Sequence, residues 1–163
     1  MANPLPSAAQ KVQDALDAAG LPYQVIELPQ TTRTSVEAAQ AIGCQVAQIA
    51  KSLIFKTSTT DRAILVIASG ANRVNEAILK ELVGEPLEKP DADFVREKTG
   101  FVIGGVPPLA HAHKLDTYID EDLLSYDTIW AAGGTPFAVF QLASKDLPAM
   151  TGGQLAKIKK LPS

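Results

Sequence analysis

The sequence predicts an α/β chain of the α+β kind, with a mixed, mostly antiparallel central sheet flanked by helices. Three observations carry this. Two β-rich runs, Ser52–Thr57 and Ala63–Ala68, are separated only by Ser58–Arg62, the spacing of a hairpin. Two more, Thr128–Ala132 and Ala138–Leu142, are joined by the turn residues Gly133-Gly134-Thr135-Pro136. Helix-type segments lie around these pairs without the regular strand–helix alternation of a parallel, doubly wound sheet.

Each element has its own local signal. Ser7 can cap a helix running to about Ala19, with Val12, Leu16 and Ala19 on one face and Gly20 closing it. Tyr23–Leu28 alternates apolar and polar residues, as a strand does. Thr34-Ser35-Val36-Glu37 has the pattern of a capping box and opens a short helix that Gly43 ends. Asn75–Val83 and Asp91–Thr99 read as helices stopped by Gly84 and Gly100. Phe101–Ile103 reads as a short strand leading into the loop Gly104-Gly105-Val106-Pro107-Pro108. Thr117–Ile119 reads as a further strand, and a C-terminal helix is expected after Thr151.

Composition narrows the function. The 163 residues suit one domain over 1–163 with a real core, and 46% apolar with 20% charged residues is ordinary for a soluble protein. The run Ala63–Ala68 is far short of the roughly 20 residues a membrane span needs. Met1–Gln10 lacks the basic flank and apolar stretch of a secretory signal, and the single Cys44 can form no internal disulfide. A cytoplasmic protein without a membrane partner is the expectation. The net charge of −3 argues against a general DNA or RNA binder, which needs a basic surface to displace phosphate counterions. It leaves room for gripping a short single-stranded end with a few placed lysines.

The chemistry-bearing residues are few. Dinucleotide, P-loop, hydrolase-elbow and C-x-x-C motifs are all missing. His111 and His113 form an H-x-H pair, but a metal site needs a third ligand, and no recognised spacing ties in Asp116 or Asp120; structuring of a loop is the alternative. Cys44 is either a nucleophile awaiting a histidine base or a small buried residue. Lys51, before the apolar run Leu53-Ile54-Phe55, is a solvated strand end or a cation at the mouth of a site. The paired glycines 104 and 105 leave backbone N–H groups uncovered, which can hold a carbonyl oxygen or an oxyanion. The same residues also suit a plain tight turn.

Taken together and in this order, Thr32-Arg33-Thr34-Ser35-Val36-Glu37-Ala38-Ala39, Ile49-Ala50-Lys51-Ser52-Leu53-Ile54-Phe55, Gly104-Gly105-Val106-Pro107-Pro108, Ile119-Asp120 and Ala132-Gly133-Gly134-Thr135-Pro136 resemble the YbaK/prolyl-tRNA-synthetase-associated domain family. The resemblance runs from about Leu21 to Ile158. It implies the fold of that family and a deacylase that hydrolyses mischarged tRNA in trans, with no cofactor and no metal. The family's essential lysine matches Lys51, and its G-x-x-x-P loop matches Gly104 to Pro108. Lys51, Gly104 and Gly105 are thus the expected catalytic residues. Thr34, Ser69, Val106, Pro107, Pro108 and His111 are expected to contact the substrate, with the two prolines narrowing its pocket. Some relatives carry serine and glycine where this chain has Pro107 and Ala110, a departure that bears on amino-acid preference.

The resemblance implies the acceptor end of an aminoacyl-tRNA as partner, with a synthetase or an elongation factor as a further one. Two other readings compete: a non-catalytic module that binds aminoacyl-tRNA or a synthetase, and a DNA-binding protein using surface lysines such as Lys157, Lys159 and Lys160. No helix-turn-helix or basic stripe supports the last, so specific DNA is not an expected partner.

Overall fold

Cap chemistry sets most helix ends in the computed structural model, which describes residues 4–161. Helix α2 (Ser35–Ile42) starts at Thr34, whose hydroxyl accepts the Glu37 N–H at 3.1 Å. The reciprocal half of the capping box is not made: the Glu37 carboxylate accepts instead from the Thr31 hydroxyl at 2.7 Å. Asn75 and Asp91 cap α3 (Glu76–Val83) and α4 (Ala92–Thr99), and Gly84 and Gly100 end them in left-handed backbone. Helix α1 (Ser7–Ala18) differs from expectation. Ser7 is its first helical residue, Pro6 stands at the cap position, and no side chain caps this end.

Eight strands among the described residues form one sheet: β1 (Ile26–Glu27), β2 (Ile49–Thr57), β3 (Ala63–Ser69), β4 (Leu87–Glu88), β5 (Asp116–Asp120), β6 (Thr128–Ala132), β7 (Ala138–Ala143) and β8 (Gln154–Ala156). Their order is β1-β7-β6-β2-β3-β5-β8, with β4 added to the far end of β2. The β2–β3 and β6–β7 hairpins are antiparallel, as are β1–β7 and β2–β4, whereas β2–β6, β3–β5 and β5–β8 run parallel. The sheet is therefore mixed and mostly antiparallel.

Strand β3 is buried along its whole length, because both faces of the sheet are covered. Leu65 and Ile67 point into a cluster with Leu16 of α1, Val95 of α4, Phe101 and Phe140. Ile64, Val66 and Ala68 point the other way, onto Leu79 of α3 and Ile158. Each fully buried side chain of this kind contributes roughly 1.5–3 kcal/mol. Among the described residues, no helix is long and apolar enough to cross a membrane.

Three expected elements change. Tyr23–Leu28 yields only the two-residue β1, which pairs Ile26 and Glu27 with β7. Phe101–Ile103 is not a strand. The buried Thr99 hydroxyl donates to the Val95 carbonyl and accepts the Phe101 N–H, and this local bonding turns the chain while Phe101 anchors the core. The helix expected after Thr151 lies before it, as α5 (Leu147–Thr151), and β8 follows. Gly152 is left-handed, and at Gly153 an added Cβ would sit 2.9 Å from Ile119 and Thr117. These two glycines stop the helix and let the chain lie against β5.

Candidate active site

The central edge of β2 opens onto a cavity because its neighbours stop short. On the side away from β3, β6 pairs only with Ile49 and Ala50, and β4 only with Lys56 and Thr57. The cavity bordering the stretch between them has a volume of about 380 Å³. It is lined by Lys51, Ser52 and Leu53 of β2, by Thr32 to Val36 at the start of α2, by Ile103, Gly104 and Val106, and by Trp130 and Ala131 of β6. The N-terminus of α2 brings uncovered N–H groups and the positive end of a helix dipole, both favourable to negative charge.

Lys51 is half-buried and pairs across the sheet with Ala68. Its ammonium donates to the Asn72 backbone carbonyl at 2.6 Å. Burial pushes its pKa below the ordinary lysine value, the Asp120 carboxylate opposes that shift, and Arg73 adds to it. With Arg33 on the cavity wall, Lys51 makes a local cationic spot on a chain of net negative charge.

The expected site residues divide. Lys51, Thr34, Gly104 and Val106 border one cavity although they come from four segments. Gly104 occupies the third position of the turn Val102–Gly105, with φ of +91°, the conformation a type II turn requires there. Gly105 does not border the cavity. Its N–H donates to the Val102 carbonyl at 3.0 Å, and its Cα lies so close to Thr135 that an added Cβ would be 2.8 Å from that backbone. The pair of free glycine N–H groups expected from sequence is thus reduced, since the Gly105 donor is already engaged.

Pro107 and Pro108 are buried behind Val106 and do not border the cavity, so they do not narrow it directly. His111 is tied to them instead: its Nε2 hydrogen-bonds the Pro107 carbonyl at 2.7 Å, and burial lowers its pKa. That is a loop-structuring contact, and His113 is exposed. Ser69 is buried, its hydroxyl donating to the Ala47 carbonyl at 2.8 Å, so it supports the cavity's neighbour Gly70 without reaching the cavity. Cys44 packs beside Ala38, Ala39 and Ile49 as a small apolar residue. Among the described residues, no three His, Cys, Asp or Glu side chains gather as a metal site. Of the lysines near the C-terminus, Lys159 is paired with Asp122 at 3.0 Å.

Sequence reasoning assigned no role to Arg33, Trp130, Asn72 or Asp120. The usable signal was Ser69-Gly70-Ala71-Asn72, a run of turn residues directly after an apolar strand. A second was the acidic residue that ends the strand Tyr118-Ile119-Asp120; in the fold Asp120 is 1% exposed.

Comparison with known proteins identifies the family. Residues 29–150 match the aminoacyl-tRNA editing domain family. The protein YwhH of Bacillus subtilis strain 168 is 32% identical over 123 residues, 76% of this chain and 78% of that protein. A crystal structure of a candidate trans-editing enzyme for prolyl-tRNA synthetase is 48% identical, with a TM-score of 0.90 over 97% of this chain and all of that one. The structure of the hypothetical protein APE2540 is 31% identical, with a TM-score of 0.85 over 92% of this chain and 99% of that one. The matched stretch contains Lys51, Gly104 and the whole cavity wall between them, and the chain belongs to the aminoacyl-tRNA editing domain family.

Proposed function

We propose that this chain is a deacylase that hydrolyses, in trans, the ester of tRNA charged with a small wrong amino acid such as Ala, Ser, Thr or Cys. A tRNA for proline or a related one is the favoured carrier. The observation that carries the reading is the half-buried Lys51 ammonium, held by the Asn72 carbonyl at 2.6 Å, in a cavity shared with Gly104 and the start of α2. Membership in the editing family supports the reaction class, and the similar candidate trans-editing enzyme supports the link to prolyl-tRNA synthetase.

An aminoacyl ester is already activated and carries a vicinal ribose hydroxyl beside it. Hydrolysis needs water placed in line with the carbonyl carbon, and positioning can supply much of the rate without a protein nucleophile. Lys51 is a compact charge suited to the terminal phosphate or ribose. Gly104 presents backbone with no side chain, against which the ester carbonyl lies. The water oxygen adds to the carbonyl carbon while the vicinal hydroxyl takes a proton from that water and passes its own to the ester ribose oxygen. The acyl C–O bond then breaks, giving the free amino acid and the ribose diol.

Small substrates follow from the discrimination problem. A synthetase pocket rejects a smaller rival by only about 1–3 kcal/mol per methylene, so small amino acids are the errors that need a second sieve. The test is a panel of Ala-, Ser-, Thr-, Cys- and Pro-charged tRNAs at equal concentration, with free amino acid measured at substoichiometric protein. Catalytic release from a small-residue substrate, unaffected by EDTA, is expected. Absence of turnover on all of them would favour a binding module. Faster cleavage of Pro-tRNA than of every small-residue substrate would end the proofreading interpretation.

A further inference from the structure

Lys51 is useful only if its ammonium is held at one place, and its partner is a loop carbonyl, which is ordinarily a mobile acceptor. In this chain the loop is fastened from three sides. Ser69 and Asn72 close a turn through the Asn72 N–H and the Ser69 carbonyl, 2.9 Å apart. At Gly70 an added Cβ would lie 2.5 Å from the Val46 carbonyl oxygen and 2.7 Å from Ser35 Cβ, so the turn packs directly against the helix that walls the cavity. The third fastening is Asp120. Its Oδ2 accepts from the Ser69 N–H at 3.1 Å and from Asn72 Nδ2 at 2.8 Å, while its Oδ1 accepts the Asp122 N–H at 3.0 Å.

Asn72 Nδ2 is shared, donating also to Asp122 Oδ2 at 2.8 Å. The residues that follow are bonded to the C-terminal segment, through Lys160 N–H to the Arg73 carbonyl and Asn75 N–H to the Ile158 carbonyl. A carboxylate that is 1% exposed is costly to bury unless its acceptor capacity is filled. Here it is filled by three donors, two of them belonging to the turn that holds Lys51.

We propose that Asp120 and Asn72 are positioning residues for Lys51. Asp120 at the end of β5 fixes the Asn72 side chain, and Asn72 in turn aims the carbonyl that sets where the ammonium stands. Neither reaches the substrate. The inference rests on the deacylase reading for its rate consequence, but the placement of Lys51 can be measured without any substrate.

Two variants and two readouts test it. Asn72→Ala keeps the backbone acceptor and leaves Asp120 its two other donors, so the fold should survive. Its kcat/KM should fall about 10- to 100-fold, the scale expected when a group is misplaced by about an ångström. Asp120→Asn removes the opposing charge while burial and Arg73 continue to act on Lys51. The carbon-13 titration of Lys51 Cε should therefore shift to a lower midpoint, and in Asp116→Asn, at the other end of β5, it should not. A folded Asn72→Ala enzyme within about twofold of wild type, or an unchanged Lys51 midpoint in folded Asp120→Asn, overturns the proposal. If the wild-type chain cleaves no aminoacyl-tRNA, the deacylase reading fails, and the titration alone still decides whether Asp120 sets the state of Lys51.

Discussion

The two sides of the cavity are built on opposite principles. The Lys51 side is polar, and its geometry comes from hydrogen bonds among side chains and loop carbonyls that meet at Asn72 and Asp120. The Gly104 side is backbone and steric, with a turn at φ of +91°, a glycine pressed against Thr135, and two buried prolines behind it. Lys51 on the first side is half-buried and can be truncated without filling or crowding a packed space. On the second, a methyl added at Gly105 would meet the Thr135 backbone at 2.8–2.9 Å and disturb the packing itself. Substitutions on the two sides should therefore separate loss of chemistry from loss of fold.

The largest effect is expected at Lys51. Lys51→Ala should reduce turnover by about 100-fold, the scale of loss when a bound substrate is no longer held in place. Its melting temperature should not fall, because burial already disfavours the ammonium and the fold gains little from it. Lys51→Arg should also be poor, since a planar fork cannot replace a compact charge. Near-normal turnover in Lys51→Ala would remove the contrast between the two sides.

Gly105→Ala should show the opposite signature. Its new Cβ would meet Thr135 backbone at 2.8–2.9 Å, and overpacking of this kind costs about 1–3 kcal/mol. Thermal melting should register that loss first, with any fall in turnover tracking the folded fraction. Gly104→Ala lies between the two. The left-handed backbone costs an L-residue about 1 kcal/mol, and the new methyl meets only the flexible Arg33 side chain at 3.3 Å. A fall in kcat/KM larger than its stability loss explains would sharpen the assignment of Gly104 to the reacting ester; wild-type kinetics would count against it.

Two smaller effects probe the loop's support. Ala110 has φ of +73° where some relatives carry glycine, so Ala110→Gly should raise stability by up to about 1 kcal/mol, measured by denaturant unfolding. His111 supplies a pH dependence. Burial holds its folded pKa below the ordinary 6.5, so below pH 6.5 the unfolded chain binds a proton that the folded chain resists. Stability is full above pH 6.5 and falls as pH drops toward the folded value. His111→Gln should flatten that acid limb and change turnover only mildly.

Much of this site was legible in the sequence, and what was missed has a common cause. Lys51, Thr34, Gly104 and Val106, all marked by their motifs, border one cavity. The expectation that Gly105 offers a free donor failed on contacts with Val102 and Thr135, the second 30 positions along the chain. The expectation that Pro107 and Pro108 contact the substrate fails because a linear motif does not say which face of a loop looks inward. Asn72 carries no local signal of its role, since its importance depends on Asp120, 48 positions away.

By itself, the sequence determined what short-range chemistry controls. Caps at Thr34, Asn75 and Asp91, glycine stops at Gly43, Gly84 and Gly100, and the two hairpins all follow from residues within a few positions of one another. The family followed from the order and spacing of its motifs. Only the tertiary structure decided that β6 and β4 stop short and open the edge of β2, that Gly152 and Gly153 lay β8 beside β5, and which atoms of the Gly104–Pro108 loop face the cavity. Those outcomes depend on close packing between segments far apart in the chain. A half-buried lysine acquires a fixed position only when a distant carboxylate and a loop carbonyl are folded against it.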